Sequence, residues 1–134
     1  MTTHASGTFD VKLAPQPTSD TTEGSTLARM SIDKQFHGDL AAASKGEMLA
    51  VGTAVKGSAG YVAIERVTGT LHGKSGAFVL QHNATMNRGT PALNVIVVPD
   101  SGTGELVGIT GTMNIIIAPD GKHSYEFDYS IAGG

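Results

Sequence analysis

Cysteine is absent from this 134-residue sequence, and so is tryptophan. Without cysteine the chain can form no disulfide framework, and it has no thiolate to bind a metal or act as a nucleophile. This absence fits a reducing compartment, so we predict a cytoplasmic protein. Charged residues make up only 16% of the chain and the net charge is −3. Nucleic-acid binding is therefore not expected, because it ordinarily requires a basic surface.

Long apolar runs are also missing. No stretch reaches the roughly 20 residues of a membrane helix, and the first residues lack a basic segment followed by an apolar one. We therefore expect neither a membrane segment nor a signal peptide. The five histidines are scattered, without the spacing of a histidine–carboxylate metal site. We expect no metal and no cofactor.

Glycine is abundant instead, and it punctuates stretches in which apolar and polar residues alternate. Such alternation is typical of half-buried strands. It predicts strands at residues 4–14, 27–36, 40–51, 92–99, 110–118 and 123–131, with a long hairpin at 60–87. Residues 18–25 are predicted as a surface loop, 105–107 as a single helical turn, and Lys45-Gly46 as a bulge.

About eight long antiparallel strands joined by short turns would expose unpaired edges unless the sheet closes. We therefore predict an all-β fold, a closed up-and-down antiparallel barrel of about eight strands. A two-sheet sandwich is the alternative. The length predicts a single domain over residues 1–134.

The hairpin at residues 60–87 carries the densest set of functional side chains. With residues 73–76 as its turn, Val67 would pair with His82 and Glu65 with Ala84. The period of two then places one mostly apolar set of side chains on a single face; we assign this face to the barrel interior. It comprises Tyr61, Ala63, Glu65, Val67, Gly69, Leu71, Phe78, Leu80, His82, Ala84 and Met86.

The last hairpin is predicted to turn at Asp120-Gly121, the strongest short-range hairpin signal. This turn places Tyr125 and Phe127 inside the barrel. It places Ile115 and Ile117 outside, where an exposed apolar patch favours a subunit interface.

Glu65 and His82 are the candidate catalytic residues, because a carboxylate beside an imidazole in a dry cavity is suited to proton transfer. Tyr61 could donate a hydrogen bond to a developing oxyanion, and Glu47 on the neighbouring strand could join the cavity. A buried polar pair whose members only satisfy each other is the alternative. The candidate ligand-binding residues are Tyr61, Glu47, Phe78, Met86, Tyr125 and Phe127.

Four segments resemble a known bacterial family. They are GSAGYVAIER at 57–66, SGAFVLQH at 75–82, PDSGTGEL at 99–106 and GKHSYEFDY at 121–129. Together they are similar to the family called domain of unknown function 3224. This resemblance implies a closed barrel like that of allene oxide cyclase, a fold that tends to form homo-oligomers, here a dimer or trimer. It implies no particular activity.

Three hypotheses for the function follow. The first is a barrel that binds a small apolar molecule in its interior. The second is a cofactor-independent isomerase or cyclase that uses Glu65 and His82 as acid and base. The third is an oligomeric structural protein with a filled barrel. Whether the protein is an enzyme is left open by the sequence.

Overall fold

A computed structural model describes residues 2–18 and 25–132, in which eight antiparallel strands follow one another around a closed barrel. Each strand pairs with the next along the chain, and the first also pairs with the last. The predicted closed barrel is confirmed, although β6 and β7 pair with each other only at Ile96 and Thr112. The strands are β1 Thr3–Gln16, β2 Ser25–Gly38, β3 Leu40–Thr53, β4 Ala59–Leu71, β5 Lys74–Asn87, β6 Thr90–Val97, β7 Ile109–Ile117 and β8 His123–Ile131.

The strands β1, β2 and β3 are longer than the sequence pattern predicts, but the order of all eight strands and most of their inward faces agree with it. The helical turn also occurs, as a short 3₁₀ turn at Gly104–Leu106. Most of the loop predicted at residues 18–25 lies outside the described residues. The bulge predicted at Lys45-Gly46 is wrong, because pairing with both neighbouring strands continues without a break through Gly46.

The register of the β4–β5 hairpin differs from the prediction. The turn is formed by His72 and Gly73, both with positive φ, and Val67 pairs with Phe78 rather than with His82. Two central residues with positive φ are what a tight hairpin turn requires. The inward face is nevertheless the predicted one, because the displacement is an even number of residues and side chains alternate with a period of two.

The β7–β8 hairpin differs in a way that exchanges the faces of β7. A loop of residues 118–122, held by hydrogen bonds between Ala118 and Lys122 and between Gly121 and Ala118, replaces the expected two-residue turn. Ile115 consequently pairs with Tyr125 and Ile117 with His123. Both isoleucines belong to the inward face, so the predicted outer patch is wrong.

One end of the barrel is packed solid with aromatic and aliphatic side chains. Phe78 stacks on Phe127, with ring centroids 5.7 Å apart, and Phe127 in turn stacks on Tyr129 at 5.3 Å. Leu106 of the 3₁₀ turn is buried against this cluster. This end, which we call the closed end, stabilises the barrel by burying apolar surface.

Candidate functional site

A charged cluster lies inside the barrel. It is formed by inward-facing side chains of four consecutive strands. Lys34 of β2, Ser44 of β3, Glu65 of β4 and His82 of β5 are all buried, and Glu65 has 0% of its surface exposed. Lys34 Nζ donates to Glu65 Oε2 at 2.8 Å, and His82 Nε2 donates to the same oxygen at 2.6 Å. Ser44 Oγ donates to Glu65 Oε1 at 2.8 Å. The carboxylate therefore has three donors, which is what a buried charge requires.

These partners determine the protonation of Glu65. Burial by itself would raise the pKa of the carboxyl, but the hydrogen bond from His82, the charge and hydrogen bond of Lys34, and the charge of His82 when it is protonated outweigh it. The pKa falls to about 2. Glu65 is therefore an ionised hydrogen-bond acceptor at neutral pH.

Tyr61 continues the cluster toward the other end of the barrel. Its hydroxyl lies 3.3 Å from His82 Nδ1. Burial, and then the charge of Glu65, raise the pKa of Tyr61 above its ordinary value, so the phenol keeps its proton at neutral pH. A hydrogen-bonded chain thus runs from Glu65 through His82 to Tyr61.

The end of the barrel near Tyr61 is open, in contrast to the closed end. A cavity of about 800 Å³, the outer mouth, is lined mostly by apolar residues that include Met48, Ala84, Met86, Leu93 and Ile117. A smaller space of about 150 Å³, the inner chamber, is bordered by Phe9, Lys34, Ala63, His82 and His123. Tyr61, Met48, Ile115 and Ile117 border both spaces. The outer mouth and the inner chamber therefore adjoin each other, with Tyr61 where they meet.

The structure brings together some of the residues predicted from sequence and separates others. Glu65, His82 and Tyr61 adjoin each other, and Met86 lines the outer mouth. Phe78, Tyr125 and Phe127 pack at the closed end and border neither space, so the prediction that they contact a ligand does not fit their placement.

Glu47 must be corrected, because it lies on the outer face of β3. It is exposed there, and Arg29 Nε donates to its Oε1 at 2.8 Å. Glu47 precedes the inward-facing Met48, so the period of two turns its side chain away from the cavity.

Lys34 and Ser44 were not predicted from the sequence, although a signal for both was present. Lys34 shares the parity of Ile32 and Phe36 on β2, and Ser44 shares that of Leu40 and Ala42 on β3; all six side chains are buried. A lysine on an inward face implies a buried counter-ion, since an unpaired buried charge is strongly unfavourable.

Gly46 provides the space in which Glu65 sits. It pairs directly with Glu65, and a Cβ atom at position 46 would lie 2.6 Å from Glu65 Cα and 2.9 Å from Glu65 Cβ. We expect Gly46→Ala to lower the free energy of unfolding by about 1–3 kcal/mol, because the added methyl group displaces a packed strand.

Urea denaturation measures this effect, and Gly52→Ala is the matched control. Gly52 lies on the same strand, and a Cβ there would meet nothing within 4 Å. It should change stability by no more than about 0.5 kcal/mol. Equal effects of the two substitutions would contradict the close packing of Gly46 against Glu65.

Two features are absent from the described residues. In residues 2–18 and 25–132, no three histidine, aspartate or glutamate side chains are grouped so as to hold a metal ion. The same residues form no helix with the length and apolar character needed to cross a membrane.

The fold and the site define a small, closed β-barrel with a buried charged cluster beneath an open, apolar end. The model of the family described as protein of unknown function (DUF3224) matches residues 5–129, and the chain belongs to this family. A crystal structure of a DUF3224 protein of unknown function from Shewanella oneidensis MR-1 is 51% identical, with a TM-score of 0.95 over 100% of both chains. The comparison with curated proteins gives no match.

Proposed function

We propose that this protein binds a small, mostly apolar molecule in the open end of its barrel. The observation that carries the proposal is the apolar outer mouth of about 800 Å³, which lies within the usual range of small-molecule sites, about 300–1,000 Å³. Aliphatic side chains from β3, β5, β6 and β7 provide its walls. An apolar molecule gains free energy there by leaving water.

A few polar groups at the base of an apolar pocket ordinarily fix the orientation of a ligand. Tyr61 and His82 border the inner chamber. His82 is hydrogen-bonded to the ionised Glu65, and Tyr61 is hydrogen-bonded to His82. A ligand with an apolar body and one polar group therefore suits this end of the barrel.

The geometry favours binding over acid–base chemistry by Glu65. Its two oxygens accept hydrogen bonds from Lys34, Ser44 and His82, and its low pKa makes it a weak base. Proton exchange with a ligand through Glu65 would require one of these partners to move away. An isomerase or cyclase that uses Glu65 and His82 stays a prediction from the sequence.

Filling the outer mouth tests the proposal. Ala84 faces inward and lines the mouth, so Ala84→Phe should weaken binding of the neutral fluorophore N-phenyl-1-naphthylamine by about tenfold or more, which corresponds to about 1.4 kcal/mol. Fluorescence enhancement on titration gives the dissociation constant.

Asn83→Phe is the matched control, because Asn83 is the preceding residue on β5 and its side chain is exposed on the outer face. It should leave the dissociation constant nearly unchanged. The proposal would be overturned if the fluorophore did not bind the unmodified protein, or if both substitutions had the same effect on its affinity.

The predicted homo-oligomer and the cytoplasmic location stay predictions. The apolar patch from which the sequence suggested a subunit contact, Ile115 with Ile117, lines the outer mouth. The apolar character of these two side chains, from which the sequence suggested a subunit contact, supports the binding of an apolar ligand instead.

A further inference from the structure

The hydrogen bonds that connect Tyr61, His82 and Glu65 have a defined donor-to-acceptor direction. The ionised carboxylate of Glu65 sets this direction. A carboxylate can only accept hydrogen bonds, so His82 must donate its Nε2 proton to Glu65 across 2.6 Å. If the imidazole is neutral, Nδ1 is then left as an acceptor. The hydroxyl group of Tyr61, 3.3 Å away, must in that case donate its single proton to His82.

The charges of the cluster favour the neutral imidazole. Lys34 already balances Glu65, at 2.8 Å and with 7% of its side chain exposed. A positive charge on His82 would have no counter-ion of its own within the buried cluster, and an unbalanced buried charge is strongly unfavourable.

The series of hydrogen bonds from Glu65 to Tyr61 therefore ends at the cavity with an acceptor, the oxygen of Tyr61. The single proton of Tyr61 is used on His82, so the lone pairs of its oxygen are the free hydrogen-bonding capacity of this group. Hydrogen-bonded chains polarise their members cooperatively, and the negative charge at the Glu65 end makes the terminal oxygen a better acceptor.

Lys34 and His123 also border the inner chamber, and the ammonium group of Lys34 is engaged elsewhere. Besides its hydrogen bond to Glu65, Nζ lies 4.9 Å from the ring centroid of Phe9 and 5.7 Å from that of Phe36. Both distances are within the range of cation–π attraction. The donor capacity of Lys34 is thus directed toward the cluster and the two rings.

We infer that the preferred ligand is a neutral, apolar alcohol that donates its hydroxyl proton to the oxygen of Tyr61. The inference rests on the proposed function, because it names the chemical class of molecule that the open end would take. It distinguishes alcohols from ketones of the same shape, since a ketone can only accept hydrogen bonds and would leave the Tyr61 oxygen unpaired in the cavity.

The test compares 2-decanol with 2-decanone, which share one carbon skeleton and are both uncharged. Competition against N-phenyl-1-naphthylamine gives the two dissociation constants. We expect the alcohol to bind about three- to tenfold more tightly than the ketone. In Tyr61→Phe, which removes the acceptor, the difference should disappear.

Tyr129→Phe is the matched control, because Tyr129 is a buried tyrosine whose hydroxyl contacts His72 rather than the outer mouth. It should keep the preference for the alcohol. Equal binding of alcohol and ketone, tighter binding of the ketone, or a preference that survives in Tyr61→Phe would each overturn the inference. If neither molecule nor the fluorophore bound the unmodified protein, the proposed function itself would fall.

The direction of the hydrogen bonds between Tyr61, His82 and Glu65 can be checked without any ligand. In ¹⁵N-labelled protein, the imidazole nitrogen resonances of His82 report which ring nitrogen carries the proton. We expect a proton on Nε2 and none on Nδ1. A proton on Nδ1, alone or together with Nε2, would reverse the hydrogen bond to Tyr61 and overturn the inference.

Discussion

Glu65→Gln should lower the free energy of unfolding by about 3–5 kcal/mol, the range measured when one member of a buried ion pair is removed. The substitution preserves the size of the side chain but leaves the ammonium group of Lys34 buried without a counter-ion. The amide also brings two N–H donors to a place where Lys34, Ser44 and His82 all donate. Thermal unfolding should shift downward by on the order of 10 °C.

A double-mutant cycle separates the ion pair from the loss of packing. Lys34→Met combined with Glu65→Gln removes both charges, so the double variant should be more stable than Glu65→Gln alone. Urea denaturation of the unmodified protein, the two single variants and the double variant gives the coupling energy. Additive effects of the two single substitutions would contradict the assignment of Lys34 as the counter-ion of Glu65.

The outer face provides a matched ion pair for comparison. Arg29 and Glu47 belong to the same region of the barrel, but their side chains are 44% and 58% exposed. Exposed pairs contribute about 0–1 kcal/mol. Glu47→Gln should therefore change the free energy of unfolding by less than about 1 kcal/mol, which would attribute the larger effect at Glu65 to burial rather than to charge alone.

The sequence was sufficient for the barrel and for the inward faces of most strands, because both depend on a period of two that turns interrupt at clear positions. It was not sufficient for register. A period of two cannot detect a displacement by an even number of residues, so β4 and β5 kept their faces although Val67 pairs with Phe78. Between β7 and β8 the loop has an odd number of residues, so Ile115, which was predicted on the outer face, lies on the inward face and borders the cavity.

The candidate site was predicted only in part, because the period of two identifies residues on one face of a hairpin but not contacts between strands that are not neighbours. Glu65 and His82 share one face of a hairpin, and they are diagonal neighbours whether Glu65 pairs with Ala84, as predicted, or with Leu80, as observed. Lys34 comes from β2 and reaches Glu65 of β4 across the intervening β3. That contact depends on the curvature of the closed barrel and on a long side chain, neither of which periodicity describes. The open end likewise depends on residues that β6 and β7 bring to the outer mouth, such as Leu93 and Ile117.

Acid should destabilise the protein through Glu65, by an amount that its pKa defines. The carboxyl has an ordinary pKa of 4.5 and a pKa of about 2 in the folded protein. Between these values the unfolded chain binds the proton more strongly than the folded one does, so stability falls as the pH decreases from about 4.5 toward 2. Above that window the stabilisation is fully present. A difference of this size corresponds to roughly 3 kcal/mol.

Urea denaturation between pH 7 and pH 2 measures this loss, and the difference between the unmodified protein and Glu65→Gln isolates it from the titration of other carboxylates. The two curves should converge as the pH falls through the window, because Glu65→Gln lacks the carboxyl that titrates there. The carboxyl ¹³C resonance of Glu65 should show no titration above about pH 3. Parallel curves for the unmodified protein and Glu65→Gln would mean that Glu65 is not held ionised by its neighbours. The direction of the hydrogen bonds through His82 to Tyr61 would then lose its origin, because that direction follows from a carboxylate that can only accept.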